Sequence, residues 1–197
     1  MKKENNIIII SGPSGTGKGS LIKEFIKNNP SYKLSISATT RPPRANEKDG
    51  IDYHFISKKK FNEKIKSEEF IEYCLVHHHF YGTLKEEVTK HTNTIIEIDV
   101  QGAKKIKKTN INAYFIFIAP PSINILKERL KKRKTETEQS IAKRIGNAKK
   151  ELLEIKQYNI VIINDKIEKA SDELTKSIKN IEKKQNKDSK EKKFMVR

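Results

Sequence analysis

The chain has 197 residues, 35% hydrophobic and 34% charged, with 42 Lys and Arg against 25 Asp and Glu for a formal charge of +17. One domain carrying inserted lobes fits that length, and apolar runs such as Ile7–Ile10 fall far short of the roughly 18 residues of a membrane span. The one cysteine, Cys74, cannot form an internal disulfide, and the short apolar stretch after Met1-Lys2-Lys3 is no secretory signal, so a cytoplasmic protein is expected.

Ile7–Ile10 is a continuous β-branched run, the pattern of a strand buried on both faces of a parallel sheet. After a glycine-rich turn, Leu21, Ile22, Phe25 and Ile26 fall at helical spacing. From Leu34 to Lys90 the rhythm changes to short strands (Leu34–Ser37, Asp52–Ile56, Phe70–His77) punctuated by Pro42-Pro43 and Asp49-Gly50. Thr83-Leu84-Lys85-Glu86 has the form of a capping box opening a brief helix. Thr94–Ile98 and Ala113–Ile118 read as further buried strands, with helices over Gln101–Lys107 and, capped by Ser122, Ile123–Lys131. Ile141, Ile145, Ala148, Leu152 and Ile155 stripe a longer helix, Ile160–Ile163 is a strand, and Ile167, Ala170, Leu174, Ile178 and Ile181 stripe the last helix. Alternating strands and helices imply an α/β core with a parallel sheet flanked by helices. The expected division is a core of residues 1–33, 91–126 and 159–182, a mixed α+β lobe at 34–90, a charged arm at 127–158 and a disordered basic tail at 183–197. From Glu182 onward the chain has seven basic and three acidic residues and no apolar stripe.

Gly12-Pro13-Ser14-Gly15-Thr16-Gly17-Lys18 lies between the first strand and the first helix, the spacing and context of a Walker A loop. Glycines let the backbone curl so that several N–H groups converge on phosphate oxygens, with the helix N-terminus behind them and Lys18 as a mobile cation. The position after the lysine, where a Ser or Thr hydroxyl usually meets Mg²⁺, is Gly19; Ser20 follows. In the lobe, Arg41 and Arg44 stand three apart on a proline-stiffened loop, and two planar forks so placed suit a phosphate dianion. Tyr53 and Tyr81 add hydroxyls within reach of the same phosphate, and Glu72 offers a carboxylate on a strand.

At these residues the chain resembles a guanylate kinase. Gly12–Lys18, Ser37–Arg44, Gly50–Phe55, Phe70–Glu72, Tyr81–Thr83, Ile98–Gly102, Ala119–Ser122, Thr135–Glu138, Arg144 and Ile162–Asp165 match that family's motifs in order, from about Ile7 to Ile181. The resemblance implies a nucleoside monophosphate kinase fold with a GMP-binding lobe and a helical lid, and transfer of the γ-phosphate of ATP to GMP with Mg²⁺. It implies that Arg41, Arg44, Tyr53 and Tyr81 hold the GMP phosphate, that Ser37, Glu72 and Thr83 read guanine, and that Asp99 lies near the nucleotides. The P-loop from Gly12 through Ser20 would bind ATP together with Arg129 and Asn164. Lys18, Arg41, Arg133 and Arg144 would neutralise the transferring phosphoryl group, with Ser20 a candidate Mg²⁺ ligand. Lys134 stands where the family usually has glycine. Guanine chemistry supports the reading independently: its N1–H and exocyclic amino group share an edge that one carboxylate accepts from, and adenine lacks that donor pair.

The rival readings are a non-catalytic guanylate-kinase-like module binding a phosphopeptide, and a nucleic-acid-binding protein. The intact Gly12, Gly15, Gly17 and Lys18 oppose the first. Without an aromatic-studded basic stripe, no specific nucleic-acid partner is expected. His77, His78 and His79 are adjacent on a strand pattern, so they alternate faces and do not converge on one ion.

Overall fold

The computed structural model describes the backbone of residues 6–76, 78–132 and 137–194, and side chains within these as far as residue 184. Arg133, Lys134 and His77 lie outside the described residues.

Five strands form one parallel sheet: β1 (Asn6–Ser11), β2 (Lys33–Leu34), β7 (Asn93–Glu97), β8 (Ala113–Ala119) and β9 (Ile160–Ile163), in the order β2-β7-β1-β8-β9. Ile8, Ile9 and Ile10 of β1 are fully buried because successive side chains enter cores on opposite faces of the sheet. On one face Ile8 and Ile10 join Leu21, Ile22 and Phe25 of α1 (Lys18–Asn28) and Leu174 and Ile178 of α7 (Ile167–Phe194). On the other, Ile9 packs with Ile96, Phe115, and Ala103 and Ile106 of α4 (Val100–Lys107). Each buried Ile, Leu or Phe among these contributes about 1.5–3 kcal/mol of transfer free energy. Tyr32 pins α7 to the core: its hydroxyl donates to Glu182 (2.7 Å) and accepts from Asn6 (2.8 Å).

The chain places β2 and β7 on one side of β1 and β8 and β9 on the other. Ligand clefts of open parallel sheets form at such a switch point, beyond the carboxyl ends of the strands. The segments leaving those ends are the glycine loop after β1, Ile98-Asp99 after β7, Pro120-Pro121 after β8 and Asn164 after β9.

The lobe is a second, four-stranded sheet ordered β4-β3-β6-β5, from β3 (Ala38–Thr39), β4 (His54–Phe55), β5 (Phe70–Val76) and β6 (His79–Leu84). Its core is aromatic: Phe61 of α2 (Lys58–Lys66) stacks on Phe70 at 4.4 Å and Phe80 at 5.2 Å. Of the expected strand Leu34–Ser37, Leu34 is paired, with Ile95 in the core sheet; Ser35–Ser37 belong to no strand, and lobe pairing begins at Ala38. The capping box expected at Thr83 does not form. Leu84 is the N-cap of α3 (Lys85–Thr89) with no side-chain bond, and the Thr83 hydroxyl is taken by Glu72.

The arm is a helical hairpin, α5 (Ile123–Lys132) and α6 (Glu138–Leu152), closed by Leu126, Leu130, Ile141 and Ala148. Ser122 caps α5 as expected, accepting from the Ile125 N–H at 3.1 Å. The segment expected to be a structureless tail continues the backbone of α7 to Phe194. Lys, Glu and Gln are good helix formers, and that propensity extends the helix beyond the end of its apolar stripe. Among the described residues no helix is long and apolar enough to cross a membrane.

Candidate active site

The glycine loop is shaped by what surrounds it. Gly12 has φ +144°, and a Cβ there would lie 2.2 Å from the Ile118 carbonyl oxygen, so only glycine lets β1 turn beside β8. Gly17, at φ +84°, opens α1 and lies against Asn164, whose Nδ2 donates to the Thr16 carbonyl at 2.7 Å. Asn164, expected on the adenine side of ATP, therefore braces the loop from the end of β9. Arg129 supports the same turn: its guanidinium donates to the Asn164 carbonyl at 2.8 Å and the Asp165 carbonyl at 3.0 Å. Lys18 Nζ donates to the carbonyls of Gly12 (2.7 Å) and Pro13 (3.1 Å), and Arg144 of α6 donates to the Ser14 hydroxyl at 3.1 Å. The arm thus reaches the loop through Arg144. Ser20 is exposed on α1.

In the lobe, Arg41 lies over the rings of Tyr53 (5.5 Å) and Phe55 (5.7 Å), and its Nε–H donates to the Tyr81 hydroxyl at 3.2 Å. Tyr53 and Tyr81 meet edge to face at 5.9 Å. Three of the four expected phosphate-holding residues therefore form one cluster. The fourth, Arg44, extends from the same loop with its side chain 73% exposed. Burial, with Glu97 nearby, pushes the Tyr53 hydroxyl up to about 12, so it is a neutral donor at physiological pH.

Of the residues expected to read guanine, Glu72 and Thr83 meet side by side. Glu72 on β5 is only 5% exposed. Its Oε1 accepts from the Thr83 hydroxyl at 2.9 Å, and its Oε2 is buried with no hydrogen-bond partner. Burial raises this carboxyl to about 7, against the lowering effect of the Thr83 bond. Oε2 faces the start of α4: a Cβ on Gly102 would come within 2.9 Å of it. Asp99, the N-cap of α4, accepts from the Gly102 N–H at 2.7 Å. Ser37 is half-buried at the start of the lobe, its carbonyl accepting from the His54 N–H at 2.9 Å.

Four features escaped the sequence reading. Glu47 grips Arg41 with both carboxylate oxygens, Nη1–Oε2 at 2.8 Å and Nη2–Oε1 at 2.9 Å. Glu97, at the end of β7, faces the P-loop: a Cβ on Gly19 would lie 3.4 Å from its Oε2. Burial raises the Glu97 carboxyl above the ordinary range, with Lys18 and Lys23 pulling it back. The Cys74 thiol, raised by burial, donates to Asp99 Oδ2 at 3.7 Å. Glu151 of α6 is raised by burial too, and feels both Lys18 and Asp99. Spacing offered some signal for Glu97, two residues before Asp99, and for Cys74, two after Glu72 on an alternating strand. Glu47 and Glu151 carry none, because loop and helix packing brings them in.

The profile of the guanylate kinase family matches residues 4–181. The chain is 46% identical to the guanylate kinase of Caldanaerobacter subterraneus subsp. tengcongensis over 178 residues, covering 88% of this chain and 86% of that one. It is 45% identical to that of Clostridioides difficile (87% and 86%) and 42% identical to that of Prochlorococcus marinus (88% and 96%). The crystal structure of guanylate kinase from Anaplasma phagocytophilum superposes with a TM-score of 0.71 at 30% identity, covering 91% of this chain and 87% of that chain. A shikimate kinase from Bacteroides thetaiotaomicron, TM-score 0.50 at 13% identity over 88% and 98%, shares the fold alone. A glycine loop braced from β9, a guanidinium–tyrosine cluster in the lobe and a buried carboxylate next to α4 agree with these matches: the chain belongs to the guanylate kinase family.

Proposed function

We propose that the site transfers the γ-phosphoryl group of ATP to the phosphate of GMP, giving ADP and GDP. The observation that carries this is Glu72, a buried carboxylate with one oxygen on Thr83 and the other unpartnered. Guanine's N1–H and amino group supply the donors such a group lacks. A base without them would leave a buried charge unsatisfied, which is the strong form of rejection.

GMP phosphate is a nucleophile at neutral pH, so the chemistry calls for positioning and charge neutralisation rather than a general base. Arg41, Arg44, Tyr53 and Tyr81 would hold the acceptor phosphate, and the loop N–H groups and Lys18 the donor. Lys18 would exchange its bonds to the Gly12 and Pro13 carbonyls for phosphate oxygens. Arg144 already stands on Ser14 of the loop, and Arg133, its expected partner, would act beside it. Ser37 and Thr83 would complete the guanine pocket beside Glu72, with Asp99 at its edge.

Mg²⁺ fits this site as an ion held mainly by phosphates and water. Among the described residues no cluster of three acidic, His or Cys groups is arranged to hold a metal. The space beside Gly19 is faced by the Glu97 carboxylate, which with Ser20 would hold the hydrated ion. When bound, the ion supplies neutralisation of the β- and γ-phosphate charge.

A coupled assay with MgATP against GMP, dGMP, AMP, CMP and UMP tests the proposal. Turnover should be confined to the guanine nucleotides; folded protein that fails to convert GMP refutes it.

A further inference from the structure

An arginine offers two bidentate edges, the end-on pair Nη1/Nη2 and the side-on pair Nε/Nη2. In Arg41 the end-on edge is filled by Glu47, with bonds of 2.8 and 2.9 Å. The other Nη1 hydrogen goes to the Pro42 carbonyl at 2.7 Å, and Nε–H goes to the Tyr81 hydroxyl. That leaves one Nη2–H, on the side-on edge beside Tyr81, with no partner among the described residues. Tyr81 accepts there, so its own hydrogen is available to donate outward.

Glu47 also closes the loop on itself. Its Oε2 accepts from the Arg44 N–H at 2.8 Å, and its own N–H donates to the Arg44 carbonyl at 3.0 Å. The Arg41 and Glu47 side chains are 12% and 17% exposed, whereas that of Arg44 is 73% exposed. Arg41 is thus held by two short bonds, while the exposed Arg44 guanidinium lies 3.9 Å from Glu47 Oε1, an ion pair beyond hydrogen-bond reach.

We infer that Glu47 is a positioning residue for the phosphoryl acceptor: it locks Arg41 end-on so that the side-on edge and the Tyr81 hydroxyl together face the GMP phosphate. This rests on the reading of the lobe as the GMP site. The alternative for a carboxylate beside two arginines is that it occupies the phosphate's place and must be expelled. The geometry opposes that, because Glu47 fills the edge away from Tyr81 and is tied to the backbone of its own loop. Removing it would release Arg41 into many rotamers and open the turn at residues 44–47, a cost that outweighs the added positive charge.

The test is steady-state kinetics on the full chain, for Glu47→Ala, Glu47→Gln, Arg41→Ala and the Arg41→Ala/Glu47→Ala pair, with a melting temperature for each. Glu47→Ala should raise KM for GMP by about tenfold or more while KM for ATP stays within about twofold, and Glu47→Gln should fall between it and wild type. In the Arg41→Ala background the Glu47→Ala change should have a much smaller effect than in wild type, the remainder passing through the turn that carries Arg44. A fall in KM for GMP would show a competing carboxylate and overturn the inference. So would an unchanged KM, a parallel rise for ATP, or additive effects in the double variant. Should Glu47→Ala not fold, Glu47→Gln is read by the same criteria. Wild-type chain inactive on GMP would refute the functional reading beneath it; active wild type with indifferent variants refutes the positioning role alone.

Discussion

Replacing Glu72 by Gln should move activity and stability in opposite directions, and the structure gives both magnitudes. The ionised carboxylate can accept from two guanine donors, and bonds to a charged group are worth about 1.5–3 kcal/mol against roughly 0.5–1.5 for neutral ones. Gln keeps one acceptor and turns an amide donor toward the guanine edge. A loss of about 3 kcal/mol in kcat/KM for GMP follows, on the order of a hundredfold, with KM for ATP unchanged.

Stability follows from the raised carboxyl. A group lifted from 4.5 to about 7 by burial destabilises the fold wherever it is ionised in both states, above pH 7, by roughly 3 kcal/mol. The penalty shrinks as pH falls from 7 and is gone below about 4.5, where folded and unfolded chains are both protonated. Glu72→Gln has no such titration, so between pH 5 and pH 8 it should gain about 2.5 kcal/mol on wild type, or roughly 5–10 °C in Tm. Whatever the new amide costs the fold cancels in that difference. Wild-type kcat/KM for GMP should also fall below about pH 7 as the free enzyme's carboxyl protonates, a limb the variant lacks. Calorimetry across pH with the coupled assay reads all three. A GMP preference that survives the substitution, or a Tm difference independent of pH, would refute the reasoning.

Thr83→Val keeps the shape but removes the hydroxyl that lowers the Glu72 carboxyl, so the acidic limb of the GMP profile should move to higher pH. Lys18→Ala should lower kcat by at least about a hundredfold, and far-ultraviolet circular dichroism should be unchanged because the bonds from Nζ to the Gly12 and Pro13 carbonyls lie within the loop rather than in a helix or strand. Gly12→Ala should lose more than about 3 kcal/mol, measured by denaturant titration, since its Cβ would strike the Ile118 carbonyl at 2.2 Å.

What could be read from the chain is what local pattern encodes. The β-branched run at Ile7–Ile10 became a central buried strand because a parallel sheet needs apolar residues on both faces, whereas the run at Ile160–Ile163, also expected to be buried, forms the edge strand β9, with Ile162 buried and Ile163 exposed. Gly12 through Lys18 declared a phosphate loop because few other structures demand those glycines. Pairings across sequence were hidden. Thr83 reads as a cap, yet it bonds Glu72 because the β5–β6 register sets the two side by side. Leu34 reads as part of the lobe because strand propensity says nothing of which sheet a strand joins. Asn164 and Arg129 resembled ATP contacts, but the packing of β9 and α5 against the loop turns their donors to its carbonyls and to the turn beside it.

The site's cations meet their ligands already engaged. Lys18 stands on two carbonyls, Arg41 on Glu47, Arg129 on two further carbonyls and Arg144 on Ser14. Of these four partners the one on Arg41 is itself charged, while Lys18, Arg129 and Arg144 rest on neutral oxygens, so each cation would meet phosphate with hydrogen bonds to give up. Phosphate binding then becomes an exchange of oxygen partners, whose net gain is smaller than the capture of bare charges and nearly blind to the base attached. Discrimination must come from a group whose bond is missing beforehand. Among the described residues the buried carboxylate oxygen in that condition is Glu72 Oε2. Affinity for phosphate and choice of base are therefore separable, and substitutions at Glu72 should change which nucleotide is used while substitutions at Arg41 change how tightly any of them is held.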